Sequence, residues 1–255
     1  MPRKARQKSE SGIYHIVMRG INRQNIFEDE EDCMKFMQTI QKYKEKSRYE
    51  VYAYCLMGNH VHLLLKIGQE PLEQVMRRIC GSYVFWYNTK YQRVGNLFQD
   101  RFKSEPVEDD IYLLSVQRYI HQNPVDAGLA KRVGQYQWSS FTEYTTTAKV
   151  ADTDFILGIF NADRAAAIKR FIQHNQEVKA VVCLDSDNKE KPRMMDEEAR
   201  RIIREACNIK NPAELQHLEK VIRNTYLREL KETYCLSIRQ IERITGINRG
   251  VVLRA

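Results

Sequence analysis

Between Gly12 and Arg19, Tyr14, Ile16 and Met18 alternate with Ile13, His15 and Val17, the period of two expected of a strand. The period then lengthens. Cys33, Phe36, Met37 and Ile40 recur at helical spacing over residues 30–46, behind an Asp29-Glu30-Glu31-Asp32 opening that suits the positive end of a helix dipole. Residues 49–56 read as a second strand, turning through Met57-Gly58-Asn59 into a third over residues 60–67. Leu72, Val75, Met76, Ile79 and Tyr83 mark a second helix extending to Lys90, with Trp86 and Tyr87 in its core rather than stacked on bases. Residues 102–107 make a fourth strand, and residues 109–122 a third helix that Pro124 is expected to stop. The order β-α-β-β-α-β plus one helix predicts an α+β, ferredoxin-like split sheet with helices on one side and its other face free.

Past Ser139-Ser140 and Thr145-Thr146-Thr147 the texture changes. Residues 165–174 read as a helix, 185–192 as a polar linker, and 196–255 as several short helices. Three parts are therefore expected: a domain over 1–148, a helical connector and linker over 149–195, and a helical DNA-binding domain over 196–255. The 43% hydrophobic content over 255 residues is enough for real cores. No run approaches a membrane span, and the basic start, residues 1–8, lacks the apolar stretch of a signal peptide, so a cytoplasmic location is expected. Cysteines 33, 55, 80, 183, 207 and 235 form no C-x-x-C pair, which argues against a zinc ribbon and a disulfide framework and for free, buried thiols. The net charge of +8 is uneven: Lys and Arg outnumber Asp and Glu by 22 to 17 in residues 1–150 and by 12 to 9 in 196–255, but only balance them in between. Both outer segments thus suit a polyanionic partner.

The candidate chemistry lies in Gly58-Asn59-His60-Val61-His62. On a strand, His60 and His62 share one face while Val61, Leu63 and Leu65 enter the core behind them, giving half of a site for a divalent cation. On the third helix, Tyr119 and Asn123 are four residues apart and share a face, so a phenol and an amide oxygen can approach the same ion. Two imidazoles and a polar oxygen leave positions for the oxygens of a phosphate, and Tyr119 is placed to attack it. The same residues also fit a quieter role: structural histidines, one of 14 tyrosines, and a helix end closed by Asn123-Pro124. His121 points away from Tyr119, and His15 suits a structural or substrate-positioning role better than metal ligation.

These stretches, together with Gly95-Asn96-Leu97-Phe98-Gln99-Asp100-Arg101-Phe102-Lys103, the run from Arg118 through Tyr119 and Asn123-Pro124 to Leu129, and Trp138-Ser139-Ser140-Phe141, resemble the single-tyrosine HUH transposase superfamily. Within it, residues 10–145 are most similar to transposases associated with repetitive extragenic palindromes. The resemblance implies a ferredoxin-like HUH domain that nicks and rejoins single-stranded or hairpin DNA through a 5′-phosphotyrosine, with Mg2+ or Mn2+ as cofactor. It places His60 and His62 on the two HUH histidines, Tyr119 on the nucleophile and Asn123 on a further metal ligand. Such proteins act as a monomer or a homodimer, and the sequence does not choose.

Arg19, Arg23, Arg101 and Lys103 are the candidate phosphate or base contacts of this domain. At the other end, Ser237-Ile238-Arg239-Gln240 has capping-box spacing, and Thr245-Gly246-Ile247 would turn the chain into a last helix. This resembles the helix-turn-helix domain of the bacterial replication initiator, with Asn248, Arg249 and Arg254 as exposed duplex-DNA contacts. An inert helical extension fits the same pattern. The leading expectation is a metal-dependent DNA transposase. The alternatives are a noncatalytic, sequence-specific DNA-binding regulator derived from one, and a metal-dependent nuclease that forms no protein–DNA adduct.

Overall fold

The computed structural model describes residues 6–177, 183–184, 195–234 and 236–255. They fall into two units, divided between Pro192 and Arg193. The linker expected over 185–192 and Cys235 lie outside the described residues. Among these, no helix is long and apolar enough to cross a membrane, and Cys33, Cys55, Cys80, Cys183 and Cys207 are not joined in disulfides.

The first unit is built on four strands, β1 (Ile13–Arg19), β2 (Glu50–Met57), β3 (His60–Lys66) and β4 (Lys103–Pro106), hydrogen-bonded antiparallel in the order β2-β3-β1-β4. With α1 (Glu30–Ser47) between β1 and β2, and α2 (Leu72–Lys90) between β3 and β4, this is the expected split β-α-β-β-α-β arrangement. Asp29 explains where α1 starts: its carboxylate accepts from the Asp32 amide while Asp32 reaches back to the Asp29 amide, a reciprocal cap. Lys90, from the end of α2, binds both carboxylates at 2.7 and 2.9 Å and ties the two helices together.

Alternation along the strands sorts the core into two layers. Facing α1 and α2 are Ile16, Met18, Val61, Leu63 and Leu65, all fully or nearly buried, with Cys80 of α2 reaching Met18. Phe27, Phe36 and Tyr83 interlock between loop and helices at ring separations of 5.0–5.7 Å. The opposite face carries His15, Val17, His60, His62 and Leu64, because directly paired residues in antiparallel strands point the same way.

That second face is not left free, contrary to the sequence expectation. α3 (Asp110–Asp126) packs across it, with Leu113, Val116 and Ile120 on Ala53, Cys55, Met57 and Leu64. α4 (Phe141–Thr145), α5 (Thr153–Phe160) and α6 (Arg164–Gln176) extend the same core through Phe141, Tyr144, Ile156 and Phe171. Residues 149–177 therefore build on the first unit, because the apolar back of α3 needs covering as much as the sheet does. Pro124 does not stop α3 either. It falls in the last turn, where the missing N–H removes one helical bond, and the helix closes two residues past Asp126 at Gly128, φ +73°, with the Leu129 and Ala130 amides bonded to the Pro124 carbonyl.

The second unit comprises α7 (Asp196–Cys207), a 3-10 turn (Pro212–His217), α8 (Lys220–Glu232), α9 (Ile238–Thr245) and α10 (Arg249–Arg254) around Ile203, Leu215, Leu227, Leu230, Ile241, Ile244 and Val252. Asp196 anchors α9 to α7, receiving Arg243 at 2.7 Å and the Gln240 amide at 3.1 Å.

Candidate active site and nucleic-acid interface

The Met57–His60 turn delivers the two histidines. His60 begins β3 opposite Arg19 of β1, and His62 follows opposite Val17. His60 is 8% exposed, and its Nδ1 lies 2.6 Å from the Asn59 Oδ1. An amide oxygen only accepts, so the proton sits on Nδ1 and the ring's lone pair on Nε2. His62 is fully buried; its Nδ1 shares a 3.2 Å hydrogen bond with His15 Nε2, and its Nε2 has no hydrogen-bond partner. Burial, and next the neighbouring His60, His15 and Arg19, hold its pKa well below the usual histidine range, so the ring is neutral near pH 7.

Tyr119 arrives from α3. It is half-buried, with its ring 5.6 Å from that of His62 and 6.1 Å from that of His15, edge-on to both. Asn123, one turn on, donates its Nδ2 to the Tyr119 carbonyl at 3.1 Å, which leaves Oδ1 as its acceptor. The described residues contain no group of three or more His, Cys, Asp or Glu placed to hold a metal. A cation on His60 and His62 would therefore draw further ligands from other groups, and the Asn123 Oδ1, one turn from Tyr119, is the candidate on α3. The donor set fits: an aromatic nitrogen without a partner inside the protein is what a metal ligand looks like before it is ligated.

His121 lies elsewhere. Buried in the core between α3 and α6, it meets Asn175 Oδ1 and Ser140 Oγ at 2.9 Å each, with burial the main cause of a pKa lowered to about 4. Both ring nitrogens are used by protein, which makes it a structural residue. Trp86 is partly and Tyr87 almost fully buried along α2, consistent with a place in the helix core.

Arg19, Arg23, Arg101 and Lys103 line one cleft of about 190 Å³, together with Val17, Gln99 and Asp100. Since Arg19 pairs with His60 and Lys103 with Val17, the cleft opens on the same sheet face as the histidines. Four cations against Asp100 leave the cleft positive. The sequence reading missed two contributors: Asn59, whose position beside His60 offered a signal, and Glu105, which only the pairing of β4 with β1 brings beneath His15.

This domain has recognisable relatives. Residues 8–123 match the family of IS200-like transposases. Its first helix pair, both histidines and Tyr119 fall within the matched span, and the family is one of enzymes. A Haemophilus influenzae protein assigned as a REP-associated tyrosine transposase is 26% identical over 42% of this chain; the alignment spans 64% of that protein. Among solved structures, a REP-associated tyrosine transposase bound to a REP hairpin superimposes with a TM-score of 0.49 at 19% identity, covering 60% of this chain and 96% of that one. A Deinococcus radiodurans protein assigned as a transposase gives a TM-score of 0.34, also at 19% identity, over 47% of this chain and 95% of its own.

In the second unit, Asn248, Arg249 and Arg254 are all exposed. Ser237 caps α9 by accepting from the Gln240 amide, Gly246 ends it at φ +74°, and Asn248 caps α10 by accepting from the Gly250 amide. Asn248 thus has a structural task of its own.

Proposed function

We propose that the first unit nicks and transfers single-stranded or hairpin DNA through a 5′-phosphotyrosine on Tyr119, as a DNA transposase acting in the cytoplasm. The observation that carries this reading is the convergence of His60 and His62 with Tyr119 on one sheet face, with the partnerless His62 Nε2 among them.

His60, His62 and the Asn123 Oδ1 are the residues to hold a divalent cation. Nitrogen and oxygen donors on a phosphate-handling site suit Mg2+ or Mn2+, and such an ion, when bound, offsets the charge that builds on the phosphate oxygens. The protein's own groups supply the rest. Arg19, Arg23, Arg101 and Lys103 hold the flanking phosphates in the cleft and fix the register of the strand. The wall of α3 positions the Tyr119 hydroxyl for in-line attack. In that step the Tyr119 oxygen bonds to phosphorus as the bond from phosphorus to the 3′ oxygen breaks. The phenol gives up its proton, and the departing 3′ oxygen gains one. The phosphotyrosine preserves the bond energy for rejoining, with no water consumed.

The second unit, from residue 196 onward, serves in this reading as a helix-turn-helix that tethers the enzyme to duplex DNA through Arg249 and Arg254 on α10, with Asn248 setting the helix start. Residues 1–148 carry the chemistry, and α5 and α6 back the tyrosine helix from the same core. The protein works as a monomer or a homodimer.

The test is to incubate the full chain with labelled single-stranded DNA bearing terminal hairpins and Mn2+ or Mg2+, then look for an adduct that survives denaturation. Loss of the adduct in Y119F and H60A with DNA binding intact supports the assignment. An adduct in Y119F removes Tyr119 as nucleophile, binding without any adduct in the wild type points to a regulator, and cleavage without adduct points to a hydrolase. R249A/R254A should weaken duplex binding and leave adduct formation on short single strands unchanged.

A further inference from the structure

Behind His62 runs a line of polar groups that crosses three elements and ends on the tyrosine helix. His62 Nδ1 meets His15 Nε2 at 3.2 Å; His15 Nδ1 lies 3.7 Å from Glu105 Oε1; and Tyr112, seven residues before Tyr119 on α3, donates its hydroxyl to that same oxygen. His15 is fully buried, and Glu105 retains only 20% of its side-chain exposure. Burial opposes ionisation of Glu105, but contacts from His15, Tyr112 and the Leu184 amide outweigh it and keep the carboxyl below its ordinary pKa range, so it is an anion.

The order of donors follows. A carboxylate beside His15 Nδ1 favours the proton on that nitrogen, which leaves His15 Nε2 as an acceptor. It can then share its hydrogen bond with His62 only if His62 carries its own proton on Nδ1. His62 Nε2 is left with a lone pair and no partner among the protein groups. At 3.7 Å the Glu105 contact is an electrostatic bias rather than a formed hydrogen bond, but bias is enough to choose between two tautomers of near-equal energy.

We infer that Glu105 and His15 are positioning residues that fix the tautomer and ring orientation of His62 for metal ligation, and that Tyr112 holds Glu105 in place. This inference rests on the metal-dependent reading above. Tyr112 and Tyr119 lie two turns apart on one helix, so the element that brings the nucleophile also steadies the group that orients the ligand. Outer partners of a ligating histidine commonly change metal affinity by about 10- to 100-fold when removed.

Nitrogen NMR of the ring-labelled, metal-free full chain reads the tautomer directly. The wild type should show His62 protonated on Nδ1 and bare on Nε2. In E105Q and in H15F the Nε2-protonated form should appear, with Mn2+ binding measured by electron spin resonance weakened by about 10- to 100-fold and the thermal midpoint of E105Q close to wild type. A His62 protonated on Nε2 in the wild type, or a tautomer unchanged in both variants, overturns the inference. A wild type with the expected tautomer that binds no Mn2+ instead overturns the metal-dependent reading and leaves the orienting line standing.

Discussion

Two of the deeply buried histidines in the first unit, His121 and His62, have surroundings that differ in one respect. His121 is closed on both sides, with Asn175 on one ring nitrogen and Ser140 on the other, and aromatic rings of Phe141, Tyr144 and Phe171 around it. His62 is equally buried and its pKa is likewise depressed, yet only one of its nitrogens is engaged. Burial and a depressed pKa therefore do not distinguish a structural histidine from a ligand. The distinguishing feature is a ring nitrogen with no protein partner, on a ring that stands edge-on to Tyr119.

The largest expected effect is on chemistry. H62Q should reduce phosphotyrosine formation on the order of 10³-fold, the scale of losing one preorganised electrostatic contact to the reacting group, whereas H121A should leave the adduct yield per folded molecule nearly unchanged; gel quantification of adduct reads both. Stability should show the converse. H121A takes a hydrogen-bond partner from Asn175 and from Ser140 and opens a cavity among aromatics, at a cost of about 3 kcal/mol in urea unfolding, while H62Q should cost less. A larger stability loss in H62Q than in H121A would erase the distinction.

pH dependence sharpens it further. His121 titrates at about 4 in the folded protein, against about 6.5 when unfolded. The unfolded chain thus binds the proton first, and stability present above pH 6.5 is lost as the pH falls toward 4, by about 3 kcal/mol from this residue. The slope of unfolding free energy over that window should be shallower in H121Q than in wild type. The smallest of these effects is metal linkage: Mn2+ at about 100 times its Kd should stabilise wild type and H121Q by about 2.7 kcal/mol, and should do nothing for H62Q.

Much of this was readable from local spacing. His60 and His62 two apart on a strand, and Tyr119 and Asn123 four apart on a helix, need no tertiary knowledge to be placed on shared faces. Arg19 and Lys103 were legible one by one as basic residues at strand ends, but not as walls of one cleft, which needs β4 to pair with β1. What depended on long-range pairing was not. Glu105 meets His15 only because β4 adds to the free edge of β1 in one register, and no property of residue 105 alone announces that. The expectation of an uncovered sheet face failed for a related reason: α3 was recognised as a helix, but where it docks is settled by Ala53, Cys55 and Leu64, residues that read only as strand.

The pairing of β3 with β1 makes the site a matter of parity. Even positions of β3 and odd positions of β1 and β4 look toward Tyr119, while their neighbours of opposite parity look toward α1 and α2. One residue inserted into the Gly58-Asn59 turn would keep β3 a strand of much the same composition but invert its frame, turning Val61 and Leu63 to the face that the imidazoles now occupy. Two residues would restore the frame and displace the histidines by one repeat along the strand. The geometry of this site is therefore guarded by the length of a two-residue turn: an odd change in its length should turn the histidines into the core, and an even one should move them along the strand.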